Sequence, residues 1–183
     1  MKYFVNIFSL LVITTSLFAQ DGYRHGYVVT YKGDTLRGMI KDRKYYNSTL
    51  SWQKINFLND KGEKEKFTAE DIKFYSRTGA TSYRALTLGV EGKKQFVEIV
   101  ENGPVMLMLY YLGLSSQTPP DYYLQKNTDD NSIMEWRPRD YKRTAAQFFK
   151  ADTSLMRSIE EDKFSHGDIQ KIVKQYNEWK AKQ

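Results

Sequence analysis

Residue patterns typical of β-strands recur from Tyr27 to Arg137, and apolar residues at helical spacing follow them towards the end of the chain. The clearest strand pattern is Gly26–Asp42, where two runs rich in β-branched and aromatic residues flank Lys32-Gly33-Asp34. Because glycine adopts a positive φ without steric cost, this stretch predicts a β-hairpin. Gly38 lies inside the second run, and a glycine within a strand usually marks a bulge or the close approach of another group. We expect this hairpin to be the first of an antiparallel sheet.

The next segments continue the strand pattern with two interruptions. The alternation in Leu50–Leu58 changes phase near Gln53, which predicts a β-bulge. The charged segment Glu63–Thr68 is typical of a strand at the edge of a sheet, where charge discourages pairing with other chains. Residues Thr68–Ile72 break the pattern, and we expect one turn of helix there with Thr68 as its cap.

Two further hairpins are predicted. Asn-Gly between Gln95–Val100 and Val105–Leu112 is a strong hairpin signal, and Tyr122–Lys126 pairs in the same way with Ile133–Arg137. The run Val105–Leu112 has no polar residue, so it is either a strand buried on both faces or the lining of a cavity for an apolar ligand. We expect a core strand, because cores are the commonest destination of apolar runs.

From Tyr141 the period of the pattern lengthens to that of a helix. Three helices are predicted, and the third begins at Ser165, with Asp168 placed to complete a capping box. The apolar residues of the third helix fall in one arc, which we expect to dock on the sheet: Ile169, Ile172, Val173, Tyr176 and Trp179. The fold class is therefore α+β: an antiparallel sheet of about eight to ten short strands, a meander or partly rolled, followed by a small C-terminal helical layer at about residues 141–182.

The first 19 residues form an apolar run that follows Lys2 and contains no acidic residue. This composition is typical of a signal peptide, and cleavage near Ala19 leaves residues 20–183 as one β-rich domain. An uncleaved anchor helix is the alternative, but a membrane span needs about 20 predominantly apolar residues. We expect a protein exported to the periplasm or associated with the outer membrane, without stable membrane insertion after cleavage.

The composition of the chain limits the covalent modifications and the classes of partner that are expected. The chain has no cysteine, so it forms no disulfide and carries no lipidated cysteine. Its net charge of +6 bears on solubility more than on function. No nucleic-acid-binding motif occurs, and an exported protein rarely meets nucleic acid, so no nucleic-acid partner is expected.

Residues for catalysis are sparse. The two histidines, His25 and His166, have no neighbouring cysteine or second histidine, so we expect both to be solvated and expect no catalytic residue, cofactor or metal site. The adjacent acids Glu70-Asp71, Asp129-Asp130 and Glu160-Glu161-Asp162 suit turns and helix ends. We expect a protein without enzymatic activity. A glycan hydrolase, the less favoured alternative, needs two distant acids brought together in a cleft.

Tyrosine is abundant, with 14 residues that include three adjacent pairs. In a strand, neighbouring side chains point to opposite faces, so we expect one ring of each pair to face the core and the other to face outwards. An exposed tyrosine suits contacts with a protein or a glycan, because its ring is apolar and its tip is polar. The alternative is that tyrosines only fill strand positions that favour aromatic residues. The candidate contact residues are Tyr45, Tyr46, Tyr110 and Tyr122.

Three stretches of the chain resemble a group of uncharacterised exported proteins of Bacteroidota. They are Gly26-Tyr27-Val28-Val29 leading to Gly33-Asp34-Thr35-Leu36-x-Gly38-x-Ile40, then Phe67-Thr68-Ala69-Glu70-Asp71-Ile72-Lys73, then Ile172-Val173 leading to Tyr176-Asn177. The group has proline where this chain has Ala69. The resemblance implies export and a β-rich architecture, and it implies no catalytic residue. We therefore expect a non-enzymatic envelope or periplasmic protein that binds another protein or a glycan, with a carrier of a small apolar ligand as the alternative.

The export hypothesis is tested by sequencing the N-terminus of the protein recovered from the periplasm. We expect the mature chain to begin near Gln20, because the acid-free apolar run ends at Ala19. Recovery of a chain that begins at Met1 or Lys2 would contradict cleavage.

Overall fold

The computed structural model describes residues 22–42, 54–88, 92–111, 119–127, 129 and 131–183. The described residues form ten β-strands and then three α-helices. The strands are β1 (Arg24–Thr30), β2 (Thr35–Asp42), β3 (Lys54–Leu58), β4 (Lys64–Thr68), β5 (Ile72–Arg77), β6 (Ser82–Leu88), β7 (Lys93–Glu101), β8 (Val105–Tyr110), β9 (Asp121–Lys126) and β10 (Met134–Glu135). The helices are α1 (Tyr141–Phe149), α2 (Thr153–Glu160) and α3 (Ile169–Lys180). The predicted bulge near Gln53, and Tyr45 and Tyr46, lie outside the described residues.

All ten strands belong to one antiparallel sheet, in the order β10-β9-β8-β7-β6-β5-β1-β2-β3-β4. The helices follow the last strand and pack on one face of the sheet, which we call the helix face. The prediction of an α+β fold with an antiparallel sheet and a C-terminal helical layer is confirmed. No helix in the described ranges combines the length and the apolar character that crossing a bilayer requires.

The first hairpin forms where its pattern predicted, with Gly33 at φ +93° in the turn between β1 and β2. Gly38 lies opposite Gly26 in this pair. A Cβ atom at Gly38 would lie 2.3 Å from the carbonyl oxygen of Leu58 and 2.7 Å from the ring of Phe57. The close approach expected at Gly38 is confirmed, since only glycine leaves room there for β3.

The connection between β4 and β5 requires the sheet to roll. Only Ala69 to Asp71 lie between the two strands, a link that spans about 14 Å at most. The same strands are four positions apart in the sheet, which is about 19 Å if the sheet is flat. The roll brings the β1–β2 turn to this link, where the hydroxyl of Tyr31 donates to the carbonyl of Ala69 at 2.7 Å. Within the described residues, the sheet is partly rolled but not closed, because β4 pairs only with β3.

The helical turn predicted at Thr68–Ile72 is wrong. The backbone makes a hydrogen-bonded turn, with the amide of Asp71 donating to the carbonyl of Thr68 at 3.1 Å. The hydroxyl and amide of Thr68 donate to the Asp71 carboxylate at 2.7 and 2.8 Å, and these bonds lower the pKa of Asp71. A link of three residues between two strands leaves no room for a helix.

Buried residues form three clusters. The roll cluster fills the rolled half of the sheet: Val28, Ile40, Ile55, Phe57, Ala69, Ile72, Tyr75, Ala85 and Phe96. The helix cluster joins β8, β9 and Trp136 to the helices: Val105, Leu107, Leu124, Trp136, Ala145, Phe148, Phe149, Leu155, Ile159, Ile169, Ile172, Val173 and Tyr176. The third cluster lies on the opposite face of the sheet: Leu86, Leu88, Val97, Met106 and Met108.

Strand β8 is buried on both faces. Val105 and Leu107 belong to the helix cluster, whereas Met106 and Met108 belong to the cluster on the opposite face. The prediction of a core strand is confirmed for Val105 to Met108, whereas Leu109 and Tyr110 are half-buried. Leu112, the last residue of the predicted run, lies outside the described residues.

Helices α2 and α3 follow side-chain caps, and α3 buries the residues predicted for it. Asp152 caps α2 by accepting a hydrogen bond from the amide of Leu155 at 3.0 Å, and Ser165 and Asp168 form the expected capping box before α3. Four residues of the apolar arc of α3 are buried, and Trp179 is partly buried beside them. Lys180 is exposed. The docking of α3 on the sheet is therefore confirmed.

Asn177 on α3 completes the hydrogen bonding of β8. Strand β7 pairs with β8 only as far as Leu107, so Val105 lies beyond the end of that ladder. The Asn177 side chain accepts from the amide of Val105 at 2.9 Å and donates to its carbonyl at 2.8 Å. A Cβ atom at Gly103 would lie 2.6 Å from Nδ2 of Asn177. Glycine in the turn before β8 therefore leaves room for the side-chain amide of Asn177.

We expect Asn177→Ala to lower the free energy of unfolding by about 1–3 kcal/mol, because both backbone groups of Val105 lose their partner. Urea denaturation measures the change. Lys174→Ala, at an exposed position on the same helix, is the control and should change stability by less than about 0.5 kcal/mol. Equal stability of Asn177→Ala and wild type would show that the helix is held by apolar packing alone.

Candidate functional site

The structure places the two described candidate tyrosines on opposite faces of the sheet. Tyr122 packs against the helix cluster, and Tyr110 packs against the cluster on the other face, beside Tyr123. Tyr111 is half-buried, as are Tyr110, Tyr122 and Tyr123. For the two described pairs, Tyr110-Tyr111 and Tyr122-Tyr123, the expected division into one core ring and one outward ring is therefore wrong. Both faces of the sheet carry packed layers here, so neighbouring rings are covered to a similar extent.

A row of directly paired residues crosses the helix face from β5 to β9. The register pairs Tyr75 with Tyr83, Tyr83 with Glu98, Glu98 with Leu109, and Leu109 with Tyr122. Side chains opposite one another on antiparallel strands lie on the same face, with Cβ atoms about 4.5–5.5 Å apart. Glu98 is thus the one charged residue in a row of aromatic and aliphatic side chains. We call Tyr83, Glu98, Leu109, Tyr111 and Tyr122 the Glu98 site.

The aromatic walls of the Glu98 site are held by the two clusters on either side. Tyr83 stacks on Tyr75 with ring centroids 4.8 Å apart, and Tyr75 meets the edge of Phe96 at 5.0 Å inside the roll cluster. On the other side, Tyr122 packs against the helix cluster. The site therefore occupies the boundary between two packed cores, where its side chains are half-buried rather than covered.

The carboxylate of Glu98 is half-buried, and no described residue compensates its charge. Desolvation raises its pKa, and among the described residues no hydrogen bond or ion pair offsets that burial. Burial also raises the pKa of Tyr111, and the nearby charge of Glu98 raises it further. A buried charge is costly unless an opposite charge or hydrogen bonds accompany it. A carboxylate flanked by tyrosine rings is suited to a cation, since the rings also attract positive charge.

A second polar cluster lies on the opposite face around Tyr110. Its hydroxyl donates to Oε1 of Gln95, and Asp121 is its direct partner on β9. Burial raises the pKa of Tyr123 to about 12, and the negative charges of Glu135 and Asp121 add to the effect. Glu135 forms an ion pair with Arg137. Because this cluster already contains a cation, it has less need of a charged ligand than the Glu98 site has.

His166 corrects an expectation, whereas His25 is exposed as expected. The His166 ring is half-buried and stacks on the ring of Trp136, with centroids 6.2 Å apart. Nε1 of Trp136 donates to the carbonyl of His166 at 2.9 Å, and Nε2 of His166 lies 3.2 Å from the carbonyl of Trp136. The short 3-10 turn at His166–Asp168, just before α3, places the ring there. The arrangement joins the segment after β10 to the turn before α3.

No group of three or more histidine, aspartate and glutamate side chains is placed to hold a metal ion in the part of the chain that the structure describes. The sequence reasoning missed Tyr83, Glu98 and Tyr111. One signal was present, because Glu98 shares a strand face with Phe96 and Val100, and an acid at such a position departs from the apolar pattern. The register that adds the three tyrosines could not be read from the sequence.

Comparisons of the chain with models of protein families, with curated proteins and with solved structures found no match. The chemistry of the Glu98 site therefore follows from its own geometry.

We expect Glu98→Gln to raise the free energy of unfolding near pH 7. The pKa of Glu98 is higher in the folded state than in the unfolded chain, so the folded state holds this proton more tightly. The stabilisation that this proton gives is fully present at pH values below the pKa of Glu98 in the unfolded chain. It is lost as the pH rises through the pKa of Glu98 in the folded state. Near pH 3, where the carboxyl is protonated in both states, the substitution should change stability little.

Urea denaturation at the two pH values measures this difference. Glu65→Gln, on the exposed edge strand β4, is the control and should change stability by less than about 0.5 kcal/mol at either pH. Destabilisation by Glu98→Gln near pH 7 would mean that the carboxylate has a stabilising partner in the free protein.

Proposed function

We propose that this chain is a non-enzymatic binding module of the cell envelope or periplasm, and that it binds another protein through the Glu98 site. The observation that carries the proposal is the half-buried carboxylate of Glu98, which lies beside tyrosine rings and has no cation against it among the described residues. The partner supplies a lysine or arginine side chain at this position. Export is supported by the composition of the first 19 residues.

A basic side chain gains from two parts of the site. Its charge compensates the carboxylate of Glu98, whose desolvation the folded protein has already incurred. Its stem and charged head lie against Tyr83, Tyr111 and Tyr122, and a cation beside an aromatic ring gains about 0.5–2 kcal/mol. Because Tyr83 and Tyr122 are packed against separate clusters, binding requires little side-chain ordering.

The other functions considered for this sequence have less support. A carrier would use the apolar run of β8 to line a cavity, but Val105 to Met108 are packed in the core. A glycan hydrolase would need two free acids in one cleft. Asp121 and Glu135 come from adjacent strands, and Glu135 is paired with Arg137. These features support binding over catalysis or transport.

Site-specific photocrosslinking in the native envelope tests the proposal. A photoreactive phenylalanine analogue replaces Tyr122, and we expect one discrete protein adduct whose crosslinked segment contains lysine or arginine. Glu98→Gln in the same chain should lower the yield of the adduct about tenfold, which corresponds to about 1.4 kcal/mol. Glu98→Lys should abolish the adduct, because it places like charges together.

Glu65→Gln is the matched control, since it removes the same charge from the exposed strand β4, which lies far from β7 in the order of the sheet. It should leave the yield of the adduct unchanged. An adduct of undiminished yield in Glu98→Gln would refute the role of the carboxylate. Crosslinks that contain only lipid would favour a carrier.

A further inference from the structure

A cavity of about 380 Å³ opens between the start of α2 and the end of α3, and it shares no residue with the Glu98 site. Its volume falls in the range of about 300–1,000 Å³ that is usual for small-molecule sites. The residues that decide its chemistry are Asp152, Ser154, Gln175, Glu178, Trp179 and Lys182.

Asp152 provides a hydrogen-bond acceptor in the wall of this cavity. Its side chain is nearly covered, with 5% of the residue exposed. Oδ1 accepts the capping hydrogen bond from Leu155, whereas Oδ2 has no hydrogen-bond partner among the described residues. Oδ2 is not among the buried side-chain atoms that lack a partner, so it keeps some exposure and can accept a hydrogen bond from a ligand in the cavity.

Trp179 provides a fixed apolar wall. Its ring packs against that of Tyr176, with centroids 5.6 Å apart, and lies partly buried beside the helix cluster. A broad aromatic ring beside hydrogen-bonding groups suits a ligand that has one apolar face and polar edges. A pyranose ring has this character, because its C–H bonds project from the faces and its hydroxyls from the rim.

The polar residues of the cavity favour a neutral ligand. Asp152 and Glu178 disfavour an anion, while Lys182 in the wall disfavours a cation. A further cation, Nζ of Lys180, lies 5.7 Å from the centroid of the Trp179 ring. Ser154 and Gln175 can both donate and accept hydrogen bonds, as the hydroxyls of a sugar do.

We propose that this cavity binds a pyranose unit of a glycan, with the sugar face on Trp179 and its hydroxyls bonded to Asp152, Gln175 and Glu178. The site goes beyond the protein contact proposed above and does not depend on it. A chain with both sites links a protein to a glycan.

Titration of the isotope-labelled protein with cellobiose, maltose and N,N′-diacetylchitobiose, followed by NMR, tests the assignment. We expect at least one of the three disaccharides to shift the indole N–H signal of Trp179 with a millimolar dissociation constant. Gln175→Ala should weaken that binding about fivefold, the equivalent of one lost hydrogen bond. Gln147→Ala, the same change at an exposed position on α1 outside the cavity, is the control and should leave binding unaltered.

Three results would overturn the proposal. One is the lack of any shift at Trp179 with all three disaccharides. Another is a shift that Gln175→Ala and Gln147→Ala affect equally. The third is a shift of the same signal by tetramethylammonium or phosphate in place of the sugars, which would assign the cavity to a charged ligand. Gln175 is exposed, so its substitution should leave the fold intact.

Discussion

The two hydrogen bonds between the Asn177 side chain and the backbone of Val105 fix the helical layer to the sheet. They lie where the β7–β8 ladder has already ended, so a helix completes the pairing of a strand. With α3 in this position, Val105 and Leu107 are covered and β8 becomes a strand buried on both faces. The same strand carries Leu109, the direct neighbour of Glu98. The geometry of the Glu98 site therefore depends on the attachment of the helices.

The sequence predictions are correct for features that depend on residues close together in the chain, and they fail for features that depend on residues far apart. The turn at Gly33, the capping box at Ser165 and the apolar arc of α3 depend on residues a few positions apart, and each formed where its pattern indicated. The Glu98 site depends on the register of four strands, β6 to β9, which no local pattern encodes. The expectation for His166 failed for a related reason: its partner, Trp136, is 30 residues away in the chain.

The Glu98 site illustrates how a fold can accommodate a group that its own stability does not favour. Natural proteins retain such groups where function requires them, and the cost is tolerated when the surrounding packing is strong. Here the roll cluster holds Tyr83 and the helix cluster holds Tyr122, so the carboxylate stands between two rigid supports. The partner proposed above would then meet a surface that is already organised. In the second polar cluster, around Tyr110, the negative charge of Glu135 is compensated within the chain by its ion pair with Arg137.

The strand order also has a consequence for how the chain acquires its structure. Strands β6 to β10 each pair with their neighbour in sequence, so these hairpins form through contacts that are local in the chain. Strand β1 instead pairs with β5, and Val28 lies opposite Tyr75, 47 residues further along. The free edge of β1 in the first hairpin therefore stays unpaired until β5 is available. Pairing β1 with β5 closes a long loop of the chain. The entropic cost of this loop closure therefore opposes folding of the N-terminal half of the protein.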